Sequence, residues 1–429
     1  MPPSQKAPTF YGWKLALLTM FGNFMFQGGA IYLLNAFIQP FGELYGWTRG
    51  ELGSAQGLGS FIGMASAPFL TAMAMKVGIR PIMLAGAICG GTSLFLLGHV
   101  TSMLAFTINF CVLWIAGQAC GGALGNALMS QWFLRQRGKA FGMANAGLSM
   151  AGIVVPGFAL LLITLFSVQT ASSIIGVMAL VILVPGIWLL VRDTPEEMGL
   201  RPDGDPPAQE TAKTEAGQPE KKTVDENAQD QDIPSIKELL ASPLVYRIGF
   251  AFAFGLVSAA GAVAQLKPRF SDLGFDDFSA MAFLCFVALC ASVGKYTWGL
   301  ICDKLTPIRT AKLLFICNAL ATLLAFLPPT TFCVFIFSLL SGFCFGGIWT
   351  VLPAIIAEIF GRHRFMAVYR VITVFLFLKS FGYIIMGHAY QLFGSYDAAY
   401  LIFSALYAVG FFLIPRIGAK YIRKQAVQE

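Results

Sequence analysis

Charged residues are scarce in this 429-residue chain, since Asp, Glu, Lys and Arg together make up only 12% of it. A soluble globular domain carries roughly 25%, so most of this chain's surface cannot face water. Hydrophobic residues make up 57%, the mean hydropathy is +0.71, and the apolar runs reach about 20 residues, enough for a helix to cross a bilayer. Short alternating segments typical of barrel strands are absent. The composition therefore predicts an all-α polytopic membrane protein.

Residues that carry catalytic or metal chemistry are also few. The three histidines, His99, His363 and His388, do not cluster, and neither H-E-x-x-H nor G-x-S-x-G occurs. The nine cysteines lie in apolar runs without a C-x-x-C pair, which favours packing over metal or disulfide roles. Gly294-Lys295 lacks the upstream glycine of a phosphate loop. We therefore expect no enzyme, no metal, no cofactor and no ATP hydrolysis, so that transport energy comes from a gradient or from exchange.

The apolar runs predict about twelve membrane-spanning helices, and the first run is too long for a signal peptide. The predicted spans are 12–39, 51–75, 80–99, 102–133, 140–165, 169–191, 244–266, 278–302, 309–328, 331–359, 366–390 and 397–415.

Loop charges set the expected orientation. The formal net charge is +7, and the basic residues gather in the loops of one side, so they indicate membrane topology and not nucleic-acid binding. The loops of that side hold Lys6, Lys76, Arg80, Arg135, Arg137, Lys139, Lys304, Arg309, Lys312, Arg362, Arg364, Arg416, Lys420, Arg423 and Lys424. The positive-inside rule then places both termini in the cytoplasm of a multi-pass protein of the cell's inner membrane.

The segment 192–243 differs from the rest of the chain because it is polar and rich in proline. We expect a disordered cytoplasmic linker with a short amphipathic piece at 233–240, separating an N-terminal half at 1–191 from a C-terminal half at 244–429. The halves resemble each other, since Gly117-Gln-Ala-Cys-Gly-Gly recurs as Gly342-Phe-Cys-Phe-Gly-Gly, 225 residues later. Two parallel six-helix halves predict a transporter with its site between them, and a single chain is the expected functional unit. A membrane sensor would need a folded effector region, for which this linker is too polar.

One loop is more specific. Gly299-Leu-Ile-Cys-Asp303-Lys304-Leu-Thr-Pro-Ile-Arg309 resembles the signature loop of the major facilitator superfamily. The resemblance implies a gate in which Asp303, with Lys304 and Arg309 nearby, pairs with a basic residue or caps a neighbouring helix in one conformation and releases it in another. The N-terminal half has Met75 where this acid is expected.

Three further motifs narrow the resemblance. Phe10-Tyr-Gly-Trp13 opens the first span, Trp132-Phe-Leu-Arg-Gln-Arg-Gly-Lys-Ala140 follows the fourth, and Pro202-Asp-Gly204 lies in the linker. Together they are similar to the monocarboxylate transporter group with its oxalate/formate antiporter relatives. That resemblance implies a small carboxylate substrate, and it places Lys295 where the family has a carboxylate-binding arginine.

Ionisable residues at membrane depth are cationic. Lys295 lies about 12 Å inside the eighth span, Arg370 and Lys379 lie in the eleventh, and no acid lies at comparable depth. An unpaired buried cation is costly, so an anionic substrate is the natural counter-charge. Arg370 and Lys379 are about 900° apart on a helix and face opposite sides. Lys379 shares the face of Phe375, near which the resemblance places an antiporter lysine, so Lys379 is the expected second substrate cation and Arg370 a gate residue.

Aromatic and polar residues complete the predicted site. The resemblance aligns Tyr32, Phe345 and Trp349 with an aromatic cage, and Phe345 and Trp349 share a helix face at i and i+4. The weaker polar candidates are Asn35, Gln118 and Tyr383.

We expect alternating-access transport of a small mono- or dicarboxylate, by exchange or secondary active transport. One alternative is a proton-coupled monocarboxylate symporter, although Ala291 stands where such carriers place an acid, so that the proton would have to bind Lys295 or Lys379. Another alternative is export of an amphipathic neutral compound. The deep cations argue against a cationic substrate.

Overall fold

The computed structural model describes residues 10–47, 49–204, 236–264 and 266–415, which form helices and turns without a strand. Helices are expected because each satisfies its own backbone hydrogen bonds, which no water can do in hydrocarbon. The helices of the N-terminal half are α1 Gly12–Gly22, α2 Gly29–Tyr45, α3 Arg49–Val77, α4 Ile79–Leu96, α5 Met103–Cys120, α6 Ala123–Trp132, α7 Arg137–Leu165 and α8 Val168–Leu190. Those of the C-terminal half are α9 Ile236–Ala241, α10 Pro243–Ala264, α11 Leu266–Asp272, α12 Asp277–Leu305, α13 Pro307–Leu323, α14 Thr331–Leu376, α15 Ser380–Phe393 and α16 Asp397–Leu413.

Nine helices in the described part of the chain are long and apolar enough to cross a membrane, which confirms the all-α polytopic class. One of them, Thr331–Tyr390, contains a reversal at Gly361, whose φ of +73° favours glycine. Twelve crossings result when this helix is divided at Gly361, when the shorter apolar helix α16 is added, and when α1 and α2 are joined through the π-helical turn Asn23–Gly28.

The start of the predicted linker is ordered, so the expectation of disorder from residue 192 onwards is wrong for Arg192–Gly204. The reason is that its carboxylates satisfy the free N–H groups of neighbouring chain segments. Asp193 accepts hydrogen bonds from the backbone N–H groups of Ile79 (2.8 Å) and Arg80 (2.9 Å) at the start of α4. Asp203 accepts from the backbone N–H of Arg135 at 2.7 Å. The expected amphipathic piece corresponds to α9, while residues 205–235 lie outside the described residues.

Glycines let the two halves approach closely where α7 crosses α12. A Cβ on Gly138 would lie 2.2 Å from the carbonyl oxygen of Gly299, and one on Gly142 would lie 2.5 Å from that of Lys295. Only residues without a side chain allow such an approach. The crossing lies toward the end of the bundle that carries Arg80, Arg137, Asp303 and Arg362, called here the basic end.

Candidate functional site

Lys379 lies at the boundary between the two halves. It ends the 3-10 turn Phe377–Lys379 that follows α14, and it is only 8% exposed. Its Nζ is 5.5 Å from the ring centroid of Trp114 on α5 and 5.9 Å from that of Trp349 on α14. Two indole faces, one from each half, therefore contact this ammonium. In the described part of the chain, no carboxylate lies within 4.0 Å of it.

Lys295 is the second buried cation. It lies on α12, ten residues before the helix ends at Leu305, which corresponds to about 15 Å along the axis. Its exposure is 2%, and its backbone packs against Gly142 of α7. Among the described residues this lysine also has no carboxylate within ion-pair distance. Burying an ammonium in an apolar region without a partner is costly, so both lysines mark positions where an anion would be stabilised.

The predicted aromatic residues occupy different places. Phe345 lies one turn before Trp349 on α14 and is 6% exposed. Tyr32 of α2 lies against α7, since a Cβ on Gly152 would meet its Cζ at 2.8 Å. The ring of Trp349 contacts the ammonium of Lys379.

The predicted polar residues are only partly described. Gln118 is buried on α5, one turn after Trp114, and its Nε2 lies 3.4 Å from the Met64 sulfur. Asn35 and Tyr383 belong to α2 and α15, and their side chains lie outside the described residues.

Asp303 joins the halves at the basic end. Its carboxylate accepts hydrogen bonds from the backbone N–H groups of Gly138 (2.7 Å) and Lys139 (2.8 Å), at the first turn of α7. A helix N-terminus carries unpaired donors and partial positive charge, which an anion stabilises. Asp303 was expected to pair with a basic residue or to cap a neighbouring helix. In the structure it caps the neighbouring helix α7.

The other predicted gate residues surround this contact less tightly. Lys304 and Arg309 are exposed. Arg370 is half-buried, and its carbonyl accepts a hydrogen bond from the Thr373 hydroxyl at 3.0 Å.

A second set of contacts joins α6, α7 and the start of the linker to α14 at the basic end. Arg362, at the reversal of α14, forms an ion pair of 2.7 Å with Glu196. The Gln131 amide donates to the Arg362 carbonyl at 3.1 Å, and the Arg137 guanidinium donates to the Ala357 carbonyl at 2.9 Å. The basic end is thus closed on both sides. By contrast, α2 and α10, which belong to the first span of each half, make their extensive contacts within their own halves.

The family model described as Major Facilitator Superfamily matches residues 17–332 and 271–426. This chain belongs to the Major Facilitator Superfamily. It resembles the monocarboxylate transporter group, since it is 20% identical to rat monocarboxylate transporter 13 over 93% of this chain and 87% of that protein. It is 24% identical to the uncharacterised transporter YhjX of Escherichia coli, over 69% of this chain and 68% of that protein.

Solved structures of the superfamily share the fold. The human organic anion transporter MFSD10 has a TM-score of 0.70 at 16% identity, covering 96% of this chain and 100% of that one. The E. coli fucose:proton symporter has a TM-score of 0.68 at 14% identity, covering 94% and 98%. These structures confirm a major facilitator fold. The family match makes the chain a membrane transporter.

Two features of the transporter escaped the sequence analysis. The first is Trp114, whose only sequence signal was its place four residues before Gln118, on the same helix face. The second is a buried chain of hydrogen bonds between the halves, in which Asn145 of α7 donates to the Asn126 side chain (3.0 Å) and Asn126 of α6 donates to the Tyr369 hydroxyl (3.2 Å). Because these three residues lie on three different helices, no spacing pattern in the sequence predicts that they meet.

Proposed function

We propose that this transporter moves a small organic anion, a mono- or dicarboxylate, by alternating access between its two halves. The observation that carries the proposal is Lys379, a buried ammonium at the boundary of the halves, with two indole faces around it and no carboxylate within ion-pair distance in the described chain. Lys295 adds a second buried cation. An anion entering between the halves would supply the counter-charge that Lys379 has no carboxylate to provide in the described chain.

Cation–π contacts do not replace an anion. Each is worth about 0.5–2 kcal/mol, whereas an unpaired charge in an apolar medium costs several kcal/mol. A carboxylate that binds Lys379 would recover much of that difference through a charge-assisted hydrogen bond. A cationic substrate would meet two like charges, and a neutral one would leave both unpaired.

Related proteins support the same substrate class. The rat relative is named a monocarboxylate transporter, and the human structural neighbour an organic anion transporter. The names belong to those proteins, but both describe an anion of the kind that the buried lysines favour.

The described contacts suit one state of the transport cycle. With the basic end in the cytoplasm, as the loop charges favour, the closed Asp303 contact corresponds to a state in which the site is closed to the cytoplasm. The halves 1–191 and 244–429 would then rock about the site. The linker 192–243 and both termini of this inner-membrane protein would stay in the cytoplasm. One chain holds both halves and suffices as the functional unit.

Flux measurements in proteoliposomes test the proposal. Radiolabelled formate, oxalate, lactate and pyruvate should be offered to the wild type, to Lys295→Ala and to Lys237→Ala, a control because Lys237 is exposed on α9. We expect uptake of at least one anion, loss of most of it in Lys295→Ala, and no change in the control. Wild-type flux in Lys295→Ala would refute a role of Lys295 in binding the anion.

A pH gradient distinguishes the coupling mechanisms. Exchange predicts uptake that depends on anion loaded inside the vesicles, whereas proton symport predicts stimulation by an acidic outside. No uptake of any of the four anions would refute carboxylate transport.

A further inference from the structure

The indole N–H of Trp114 is buried and has no acceptor in the described part of the chain. The residue is 3% exposed, and its Nε1 makes no hydrogen bond within the described residues. A buried donor without a partner costs about 1–3 kcal/mol, and most such groups in folded proteins are satisfied.

Other tryptophans of the same bundle show the usual arrangement. The Nε1 of Trp132 donates to the Arg192 carbonyl at 2.9 Å, and that of Trp298 donates to the Phe343 carbonyl at 3.1 Å. Their roles are structural, since each ties its helix to a neighbouring segment. Trp114 stands apart because its face contacts Lys379 while its N–H has no acceptor among the residues that the structure describes.

The N–H edge of this indole packs against α3 at Gly59, where only glycine fits. A Cβ on Gly59 of α3 would lie 2.7 Å from Trp114 Cδ1 and 3.3 Å from its Nε1. One turn further along α3, a Cβ on Gly63 would lie 2.8 Å from Trp114 Cβ. The two glycines thus admit the indole against α3, and any residue larger than glycine at position 59 would crowd the donor.

We infer that the Trp114 N–H donates a hydrogen bond to the substrate carboxylate that binds Lys379. The inference rests on the proposed function and deepens it. A carboxylate has two oxygens, so one can accept from the ammonium and the other from the neutral indole donor. Such a pair selects an oxyanion with two acceptors, and the ester of the same acid, which lacks the charge, should not compete.

Transport kinetics can separate the contribution of the Trp114 N–H donor to anion binding from that of its aromatic ring. Trp114→Phe keeps an aromatic face for Lys379 but removes the donor, so KM for the transported anion should rise about 10-fold with kcat little changed. Gly59→Ala keeps the donor and crowds it, and should also raise KM. The controls are Trp188→Phe, at a residue 58% exposed, and Gly57→Ala, where a Cβ meets no atom within 4 Å.

A spectroscopic measurement covers the case in which a variant does not fold. Wild-type protein with ¹⁵N-labelled tryptophan contains seven indole N–H groups, and the Trp114 signal is the one absent from Trp114→Phe or, if that variant is unstable, from Trp114→Tyr. Adding oxalate, or whichever of the four anions the wild type transports, should move this signal downfield.

The possible failures are distinguishable. A wild type that transports none of the four anions overturns the proposed function and this inference together. A carboxylate-transporting wild type whose Trp114 signal stays in place, or whose KM is the same in Trp114→Phe, overturns this inference alone.

Discussion

Replacing Asp303 by Asn should weaken closure of the basic end. The carboxylate accepts hydrogen bonds of 2.7 and 2.8 Å from the first N–H groups of α7. Asn keeps one oxygen acceptor, loses the negative charge, and places an N–H₂ group where the second acceptor was. The variant should therefore populate states in which α7 and α12 have separated at that end.

The magnitude follows from the lost contact. A hydrogen bond to a charged group contributes about 1.5–3 kcal/mol, and the helix terminus adds about 0.3–1 kcal/mol. Since Asp303 is exposed to water, we take the lower end of the hydrogen-bond range alone, about 1.5 kcal/mol. That value changes the ratio of closed to open states about 10-fold.

Distances between spin labels can follow this ratio in a cysteine-free background. One pair at Lys76 and Leu305 reports on the basic end, and a second pair at Leu44 and Leu392 reports on the opposite end. Double electron–electron resonance should show longer distances for the first pair and shorter distances for the second in Asp303→Asn.

Asp276→Asn is a matched control. The Ser279 side chain and backbone N–H hold the pKa of Asp276 below its usual value, and its carboxylate caps its own helix by accepting from the N–H groups of Phe278 and Ser279, each at 3.1 Å. This variant loses a capping carboxylate without touching the contact between halves. Unchanged distances in Asp303→Asn, or equal changes in both variants, would refute the gate.

Two further predictions concern the same interface. Gly299→Ala should abolish most transport, because its Cβ would lie 2.1 Å from the Gly138 carbonyl oxygen; Gly157→Ala, which meets no atom within 4 Å, should keep wild-type flux, and equal flux in both variants would contradict this packing. Glu196→Gln breaks the ion pair with Arg362, but Glu196 is about half exposed, so stability should fall by less than about 1 kcal/mol. A drop in Tm of much more than about 4 °C in a thermal-shift assay would contradict that prediction.

The helices could be predicted because a membrane span must be long and apolar, whatever its neighbours are. One interruption could also be predicted, since the spans 331–359 and 366–390 leave a gap that contains Gly361. The 3-10 turn Phe377–Lys379 could not, because it changes the helix phase within a span that reads as a regular α-helix. The relative facing of Arg370 and Lys379 depends on that phase.

The order at the start of the linker could not be predicted from the sequence either. Arg192–Gly204 has the composition of a disordered segment, yet Asp193 and Asp203 bind backbone N–H groups far away in the chain. Composition reports how much apolar surface a segment can bury, but it does not report which distant donors lie unpaired nearby.

The candidate site shows the same division. The two buried lysines and Trp349 could be chosen from charge, depth and family resemblance. Trp114 could not, because its importance comes from contacts with Lys379 and Gly59 on two other segments. Without tertiary contacts, nothing in the sequence distinguishes Trp114 from the other aromatic residues of the spans.

The most direct test of the account measures transport by Lys379 variants. For whichever of formate, oxalate, lactate or pyruvate the wild type carries, Lys379→Gln should raise KM at least 10-fold, and Lys379→Arg should recover part of that loss because it restores the charge. A Lys379→Gln transporter with the wild-type KM would show that the anion binds elsewhere.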